Sequence, residues 1–317
     1  MIMIKILAND GIHPEGQRLL EADGCKVDTV KIAQSDLPNE LPKYDVIIVR
    51  SATKVRKDLI DQCPNLKVIA RAGVGLDNID VDYAKSKGIA IYNTPGASSN
   101  AVAELVFGHF LTLSRFLQDA NRQMPTQGDK KFKDLKKSYS KGIELKGKTL
   151  GIIGFGQIGV ETAKKGLGLG MKVLAFDPYV ETRDIQLDFF DGSKKLFEIK
   201  TSSMDDVLEQ SDYISLHVPS LGHPLINKEE FAQMKEGVIL VNASRGGIIN
   251  EDDLVEALDS GKVMGCGLDV FLNEPTPKQS LLTHPKMSLT PHTGASTKEA
   301  QTNIGVELAT KILGHFA

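Results

Sequence analysis

Three polar residues in the C-terminal half of this 317-residue chain could together do hydride chemistry on a small acid. Arg245 follows the apolar run VILVNAS and precedes Gly246 and Gly247, Glu274 follows GLDVFLN, and His292 follows MSLTP. A planar guanidinium can grip a carboxylate through two parallel hydrogen bonds and polarise the carbonyl beside it. An imidazole can exchange a hydroxyl proton while hydride moves, as base in oxidation and as acid in reduction. A carboxylate against that imidazole stabilises its charged form and fixes the ring. Singly, the three read as a surface ion-pair arginine, a loop acid before Pro275 and a hydrogen-bonded core histidine. Each follows a strand-like run, and as a set they suit interconversion of a 2-hydroxy and a 2-oxo acid.

That reaction needs a dinucleotide, and residues 149–179, TLGIIGFGQIGVETAKKGLGLGMKVLAFDPY, have the order that holds one. An apolar strand leads into Gly154-x-Gly156-x-x-Gly159, then a helix, then a second strand ending at Asp177. The first glycine allows the tight turn, the second lets the backbone approach a pyrophosphate, and the third lets helix and strand pack closely. The helix N-terminus supplies free N–H groups and partial positive charge. Asp177, 18 residues past Gly159, suits the hydroxyls of an adenosine ribose and would repel a 2′-phosphate, so NAD is expected and not NADP.

The elements that must position these residues fall into two alternating series. Strands are expected at IKILA, KVDTV, DVIIV (45–49), KVIAR (67–71) and IAIYN (89–93), with helices near 13–23, 54–62 and 80–87. A long helix from about 98 to 119 follows. From Thr149 a second series gives strands at LGIIG, KVLAF, FEIKT, DYISLHV, VILVN, VMGCGLDV and MSLTP, with helices between them. The pattern implies an α/β protein of two doubly wound parallel sheets, a flavodoxin-like substrate domain and a Rossmann NAD-binding domain. A last helix near Thr297 returning to the first domain would make that domain discontinuous: 1–97 with 293–317, around 98–292. Residues 129–148, with eight lysines, read as a solvated connector or as positive potential near an anionic substrate.

Composition narrows the partners. A net charge of −3 gives no global attraction for nucleic acid or an anionic membrane. Cys25, Cys63 and Cys266 lack metal-ligand spacing and cannot all pair, which fits a reducing compartment and a cytoplasmic protein. The N-terminal MIMIKILAND reads as a first strand and not as a signal peptide. The apolar stretch from Ala101 is interrupted by Glu104, His109 and Arg115 and reads as a buried or interface helix, not a membrane span.

The segments RAGVGLDNID (71–80), GFGQIG (154–159), HVP (217–219), VNASRGGIINEDDLVEAL (241–258), GLDVFLNEP (267–275) and PHTGAST (291–297) resemble the D-isomer-specific 2-hydroxyacid dehydrogenase family over nearly the whole chain. The resemblance implies that Arg245, Glu274 and His292 are the catalytic set and that Asp269 binds the nicotinamide carboxamide. It implies that Gln157, Ile158, Asp177, Val218, Pro219, Ala243 and Ser244 line the cofactor, with Gly294 and Ala295 near the nicotinamide. Val74 and Gly75 would form a backbone loop on the substrate side, Val74 also reaching the cofactor. A homodimer or homotetramer built through the nucleotide domain is implied as well.

Four segments, VRSATKV (49–55), ARAGVGLDNIDV (70–81), SNAVAELVFG (99–108) and HTGASTKEAQTNIG (292–305), resemble the branch of that family that oxidises 3-phosphoglycerate. A phosphorylated acid needs cations and donors away from the reacting carbon. Arg50 and Ser51, after DVIIV, are the candidates, with Arg71, Ser98, Asn100 and Gln301 as weaker ones. Two departures stand out. The sequence ends at Ala317, so feedback through an appended regulatory domain is not expected, and the loop near 124–140 lacks a tryptophan that many members carry. The alternatives are a hydroxypyruvate, glyoxylate or D-lactate-type enzyme, or an NAD(H)-sensing corepressor-like protein that binds without turnover.

Overall fold

Short β-branched runs buried on both faces dictate parallel sheets, because only helices above and below can cover such strands. A computed structural model describes residues 3–317, and these divide into two compact units: residues 3–99 with 295–317, and residues 100–294.

In the first unit β1 (Lys5–Ala8), β2 (Lys26–Asp28), β3 (Val46–Val49), β4 (Val68–Arg71) and β5 (Ala90–Asn93) form a parallel sheet in the order β2-β1-β3-β4-β5. That is the flavodoxin-like order. All four residues of β3, Val-Ile-Ile-Val, are buried. Ile47 and Val49 pack with Leu7, Leu59 and Ile60 on one face, and Ile48 packs with Leu20 and with Ile304, Leu308 and Ile312 of the C-terminal helix Lys298–Phe316 on the other. The Thr297 hydroxyl caps that helix by accepting from the Ala300 N–H at 3.1 Å.

The second unit holds β6 (Thr149–Ile153), β7 (Lys172–Phe176), β8 (Thr182–Asp188), β9 (Lys194–Lys200), β10 (Tyr213–Leu216), β11 (Val238–Asn242), β12 (Val263–Leu268) and β13 (Met287–Leu289). Six of them make a parallel sheet in the order β13-β12-β11-β10-β6-β7. Strand order reverses direction at β6 and β10, and ligands of doubly wound sheets bind beyond the carboxyl ends at such a switch point. Both sheets are the expected α/β, doubly wound kind.

Two local expectations are corrected. The run FEIKT is not a further strand of the parallel sheet: it lies in β9, which pairs antiparallel with β8 from Thr182↔Lys200 to Asp188↔Lys194. Burial alternates along β8 and along the second half of β9, as a half-solvated hairpin requires. The helix expected over 98–119 is two helices, Ser99–Ser114 and Leu117–Ser138, broken at Phe116, which takes a left-handed backbone (φ 55°). The second helix runs into the lysine-rich stretch and buries none of its residues.

Candidate active site

The glycine-rich turn has the geometry its sequence requires. Gly154 takes φ 93°, and a Cβ there would stand 2.6 Å from the His217 carbonyl oxygen at the end of β10. A Cβ at Gly159 would stand 2.3 Å from the Gly154 oxygen, so only glycine lets the helix Gln157–Gly168 approach its own turn so closely. Around Gly156, the helix N-cap, a Cβ would meet nothing within 4 Å, which leaves open space at the helix N-terminus, where a pyrophosphate binds. Gln157 and Ile158 form the first turn of that helix. Asp177, just past β7, accepts from the Phe155 N–H at 2.7 Å and from the Tyr179 N–H at 2.9 Å, which ties it to the glycine turn. These residues fit an NAD dinucleotide.

Arg245 sits on a turn shaped by Asn242, the buried last residue of β11. The Asn242 Oδ1 accepts from the Ser244 N–H (3.0 Å) and hydroxyl (2.8 Å), while its Nδ2 donates to the Arg245 carbonyl (2.9 Å). The next residue must be small, because a Cβ at Gly246 would lie 1.9 Å from the Phe271 carbonyl oxygen. Through that contact the Arg245 turn abuts the chain leaving β12.

Glu274 and His292 meet directly. Glu274 Oε1 accepts from the Phe271 N–H at 3.0 Å, and its Oε2 lies 2.8 Å from His292 Nδ1. The pairing assigns the ring proton to Nδ1 and leaves the Nε2 lone pair free to act as a base. His292 adopts φ 55°, a conformation costly for a residue with a Cβ, so its loop must be held from outside. Asp269, 1% exposed at the end of β12, holds it. The Asp269 carbonyl accepts from the His292 N–H at 2.8 Å. Its carboxylate accepts from the Thr290 hydroxyl (2.6 Å) and from the N–H groups of Thr293 (2.7 Å) and Gly294 (2.8 Å).

Residues 107–294 match the family described as D-isomer specific 2-hydroxyacid dehydrogenase, NAD binding domain. The chain is 44% identical over 319 residues to the hydroxypyruvate reductase of Thermotoga maritima, covering 98% of each chain. It is 38% identical over 314 residues to the D-3-phosphoglycerate dehydrogenase of Bacillus subtilis, covering 98% of this chain and 57% of that one. The D-lactate dehydrogenase of Aquifex aeolicus, solved with NAD and lactic acid, matches with a TM-score of 0.76 at 30% identity, covering 98% of this chain and 95% of that one. The chain belongs to the D-isomer specific 2-hydroxyacid dehydrogenase family. It is an NAD-dependent oxidoreductase of that family.

Within this family member the remaining expected residues are distributed as follows. Ala243 and Ser244 are buried beside Asn242, while Val218 is half-buried and Pro219 exposed beyond β10. Gly294 is buried against Asp269. Ala295, Val74, Gly75, Arg50 and Ser51 belong to the first unit. There the Val74 carbonyl accepts from Asn93 Nδ2 at 2.6 Å, which shapes the turn after β4. Arg50 and Ser51 are exposed after β3, on the wall of a cavity of about 410 Å³ that Asp10, Thr29 and Lys31 also line. Of the weaker candidates, Ser98 is buried, Asn100 is engaged by Lys165 at 2.6 Å, and Gln301 donates to the Ala295 carbonyl at 2.8 Å.

Several residues of the site carry no motif in the sequence. Asn242 is one, and a buried chain from Asp269 into the helix Ser99–Ser114 is another. His109 Nδ1 lies 2.8 Å from the Ser288 hydroxyl, and its Nε2 lies 3.2 Å from the Thr290 hydroxyl. Thr290 gives its own proton to Asp269, so His109 donates from Nε2 and accepts at Nδ1 as a neutral ring. Burial, only partly opposed by the Asp269 charge, holds His109 below the ordinary imidazole range. In the first unit Asp10 is the hidden support. It accepts from the N–H groups of Arg50 (2.8 Å) and Thr53 (3.0 Å), and Lys31 Nζ stands 3.4 Å away. Burial would raise its carboxyl, but these partners hold it below the ordinary range.

Proposed function

We propose that the chain oxidises D-3-phosphoglycerate to 3-phosphohydroxypyruvate with NAD, the first step of serine synthesis. The observation that carries the phosphorylated substrate is the pair of cations, Arg50 and Lys31, on the wall of the first unit's cavity. Arg245 is the residue proposed for the substrate carboxylate, and in the first unit Arg50 and Ser51 are proposed for the phosphate and Val74 and Gly75 for backbone contacts to the substrate. The Nε2 of His292 removes the C2 hydroxyl proton, and Glu274 stabilises the imidazolium from Nδ1. Bound NAD supplies the acceptor for the C2 hydride. Asp177 receives the adenosine ribose hydroxyls, and Asp269 keeps capacity at Oδ2, which accepts one backbone N–H, for the nicotinamide carboxamide.

A second reading, reduction of hydroxypyruvate to D-glycerate, is favoured by the 44% identity and near-complete mutual coverage with the Thermotoga maritima hydroxypyruvate reductase. A substrate panel decides: kcat/KM for 3-phosphoglycerate, D-glycerate and D-lactate with NAD, and for the corresponding 2-oxo acids with NADH. A higher kcat/KM for the phosphorylated acid is expected, and equal or lower values would transfer the assignment to the second reading. On either reading a cytoplasmic homodimer or homotetramer is proposed. Support comes from three buried, unpaired cysteines and from Leu117, Met124 and Phe132, exposed within the segment Leu117–Ser138.

A further inference from the structure

The chain from Arg245 to His292 includes one buried carboxylate that takes no part in the chemistry above. Glu251 opens the helix Glu251–Ser260, directly after the Arg245 turn, and is 6% exposed. Its Oε1 accepts from the Leu272 N–H at 2.8 Å, while its Oε2 is buried with no hydrogen-bond partner among the described residues. The residue lines a cavity of about 330 Å³ together with Ser220, His223, Asp252 and Lys278. Burying a carboxylate with one oxygen that lacks a hydrogen bond is costly.

Its single bond falls in an informative place. Leu272 follows Phe271, whose N–H holds Glu274 Oε1 at 3.0 Å, and Glu274 in turn holds His292 Nδ1. The Phe271 carbonyl is also where Gly246 presses in from the Arg245 turn. We propose that Glu251 is a positioning residue, whose carboxylate fixes the turn 271–274 so that Glu274 is aimed at His292 while Arg245 stays in register with both. Without the Leu272 anchor the turn could swing away from Gly246, and the Glu274–His292 pair would lose the geometry on which proton transfer depends.

The proposal rests on His292 and Glu274 being the proton-handling pair, and the experiment separates the two ideas. Steady-state kinetics of E251A, E251Q and E251D are measured beside H292A, with NADH binding followed by fluorescence and folding by thermal melting. E251A is expected to lose about tenfold or more in kcat, with KM and NADH affinity within about twofold of wild type. E251Q keeps an Oε1 acceptor for Leu272 and is expected to restore kcat to within about threefold of wild type. E251D, one methylene short, is expected to behave like E251A and carries the test if E251A does not fold. In a double-mutant cycle E251A and E274Q should be strongly non-additive, because both act on one turn.

Wild-type kcat in E251A or E251D would overturn the proposal, as would additive losses in the cycle or no recovery in E251Q. If H292A itself turned over normally, the catalytic reading would fall first, whatever Glu251 does.

Discussion

In the second unit each group proposed for proton transfer is gripped by another polar group: His292 by Glu274, Glu274 by the Phe271 N–H, and the His292 loop by the carboxylate of Asp269. The first unit is different. Arg50 and Ser51 are exposed, and Asp10 and Asn78 hold Arg50 through its backbone, at the N–H (2.8 Å) and the carbonyl (2.9 Å). One set of strand ends is over-determined at the side-chain level. The other fixes a backbone and leaves the Arg50 side chain exposed. Proton transfer needs sub-ångström placement, whereas charge recognition of a phosphate tolerates a flexible arm. The contrast fits a family whose relatives are named for hydroxypyruvate, phosphoglycerate and lactate.

The largest effect should come from the rigid side. His292→Ala is expected to lower kcat by about 10²- to 10⁴-fold with little change in NADH affinity, as general-base contributions do. Near-normal turnover in steady-state assays would remove the histidine from the mechanism and with it the contrast. Next comes Asp177, which also supports the glycine turn through the Phe155 N–H. Asp177→Asn removes the charge and keeps one amide oxygen for the Phe155 N–H while giving up the acceptor for the Tyr179 N–H, so the preference for NAD over NADP should shrink by about tenfold, in line with hydrogen bonds to charged groups. Unaltered discrimination in titrations with both cofactors would mean that another feature selects NAD.

The flexible side should respond in KM instead. Arg50→Ala is expected to raise KM for 3-phosphoglycerate about tenfold, leaving kcat and the kinetics of unphosphorylated acids nearly unchanged. A fall in kcat alone would show that Arg50 belongs with the rigid set, and an unchanged KM would take the phosphate away from this cavity.

What could be read from the sequence follows the same division between local and non-local causes. The Gly154 turn and the all-buried β3 were legible because glycine spacing and apolar runs act within a few residues. Arg245, Glu274 and His292 stood out as candidates because each follows a strand-like run, and the structure brings Glu274 and His292 together at 2.8 Å. The β8–β9 hairpin was not, since nothing within FEIKT states whether its partner is β7 or a preceding antiparallel strand. Asn242, His109 and Glu251 were invisible for a related reason. Their roles depend on which strand ends abut, as when the Gly246 turn meets Phe271, and a single Asn, His or Glu carries no periodic signal.

The two units should also differ in acid. His217, at the end of β10, is pushed down to about 3 by burial, and its Nε2 lies 2.9 Å from the Ser215 hydroxyl and 3.1 Å from the Thr162 hydroxyl. Burial also lowers His109 in the same unit. A histidine kept neutral in the fold but protonated once unfolded withdraws stability as pH falls below 6.5, and for His217 the loss continues to about 3. The slope approaches about 1.4 kcal/mol per pH unit for each such group. Asp10, in the first unit, has a carboxyl held below its ordinary 3.8, so its contribution is intact above that value and is lost only as pH falls through the lowered one. Between pH 6.5 and 4 His217 therefore acts and Asp10 does not. Hydrogen exchange resolved by peptide should show protection falling in residues 100–294 while the first unit holds. His217→Gln, which keeps a donor where Nε2 stands, should flatten that fall. Equal loss in both units, or an unchanged slope in the variant, would mean that acid sensitivity lies elsewhere than in the buried imidazoles of the nucleotide-binding sheet.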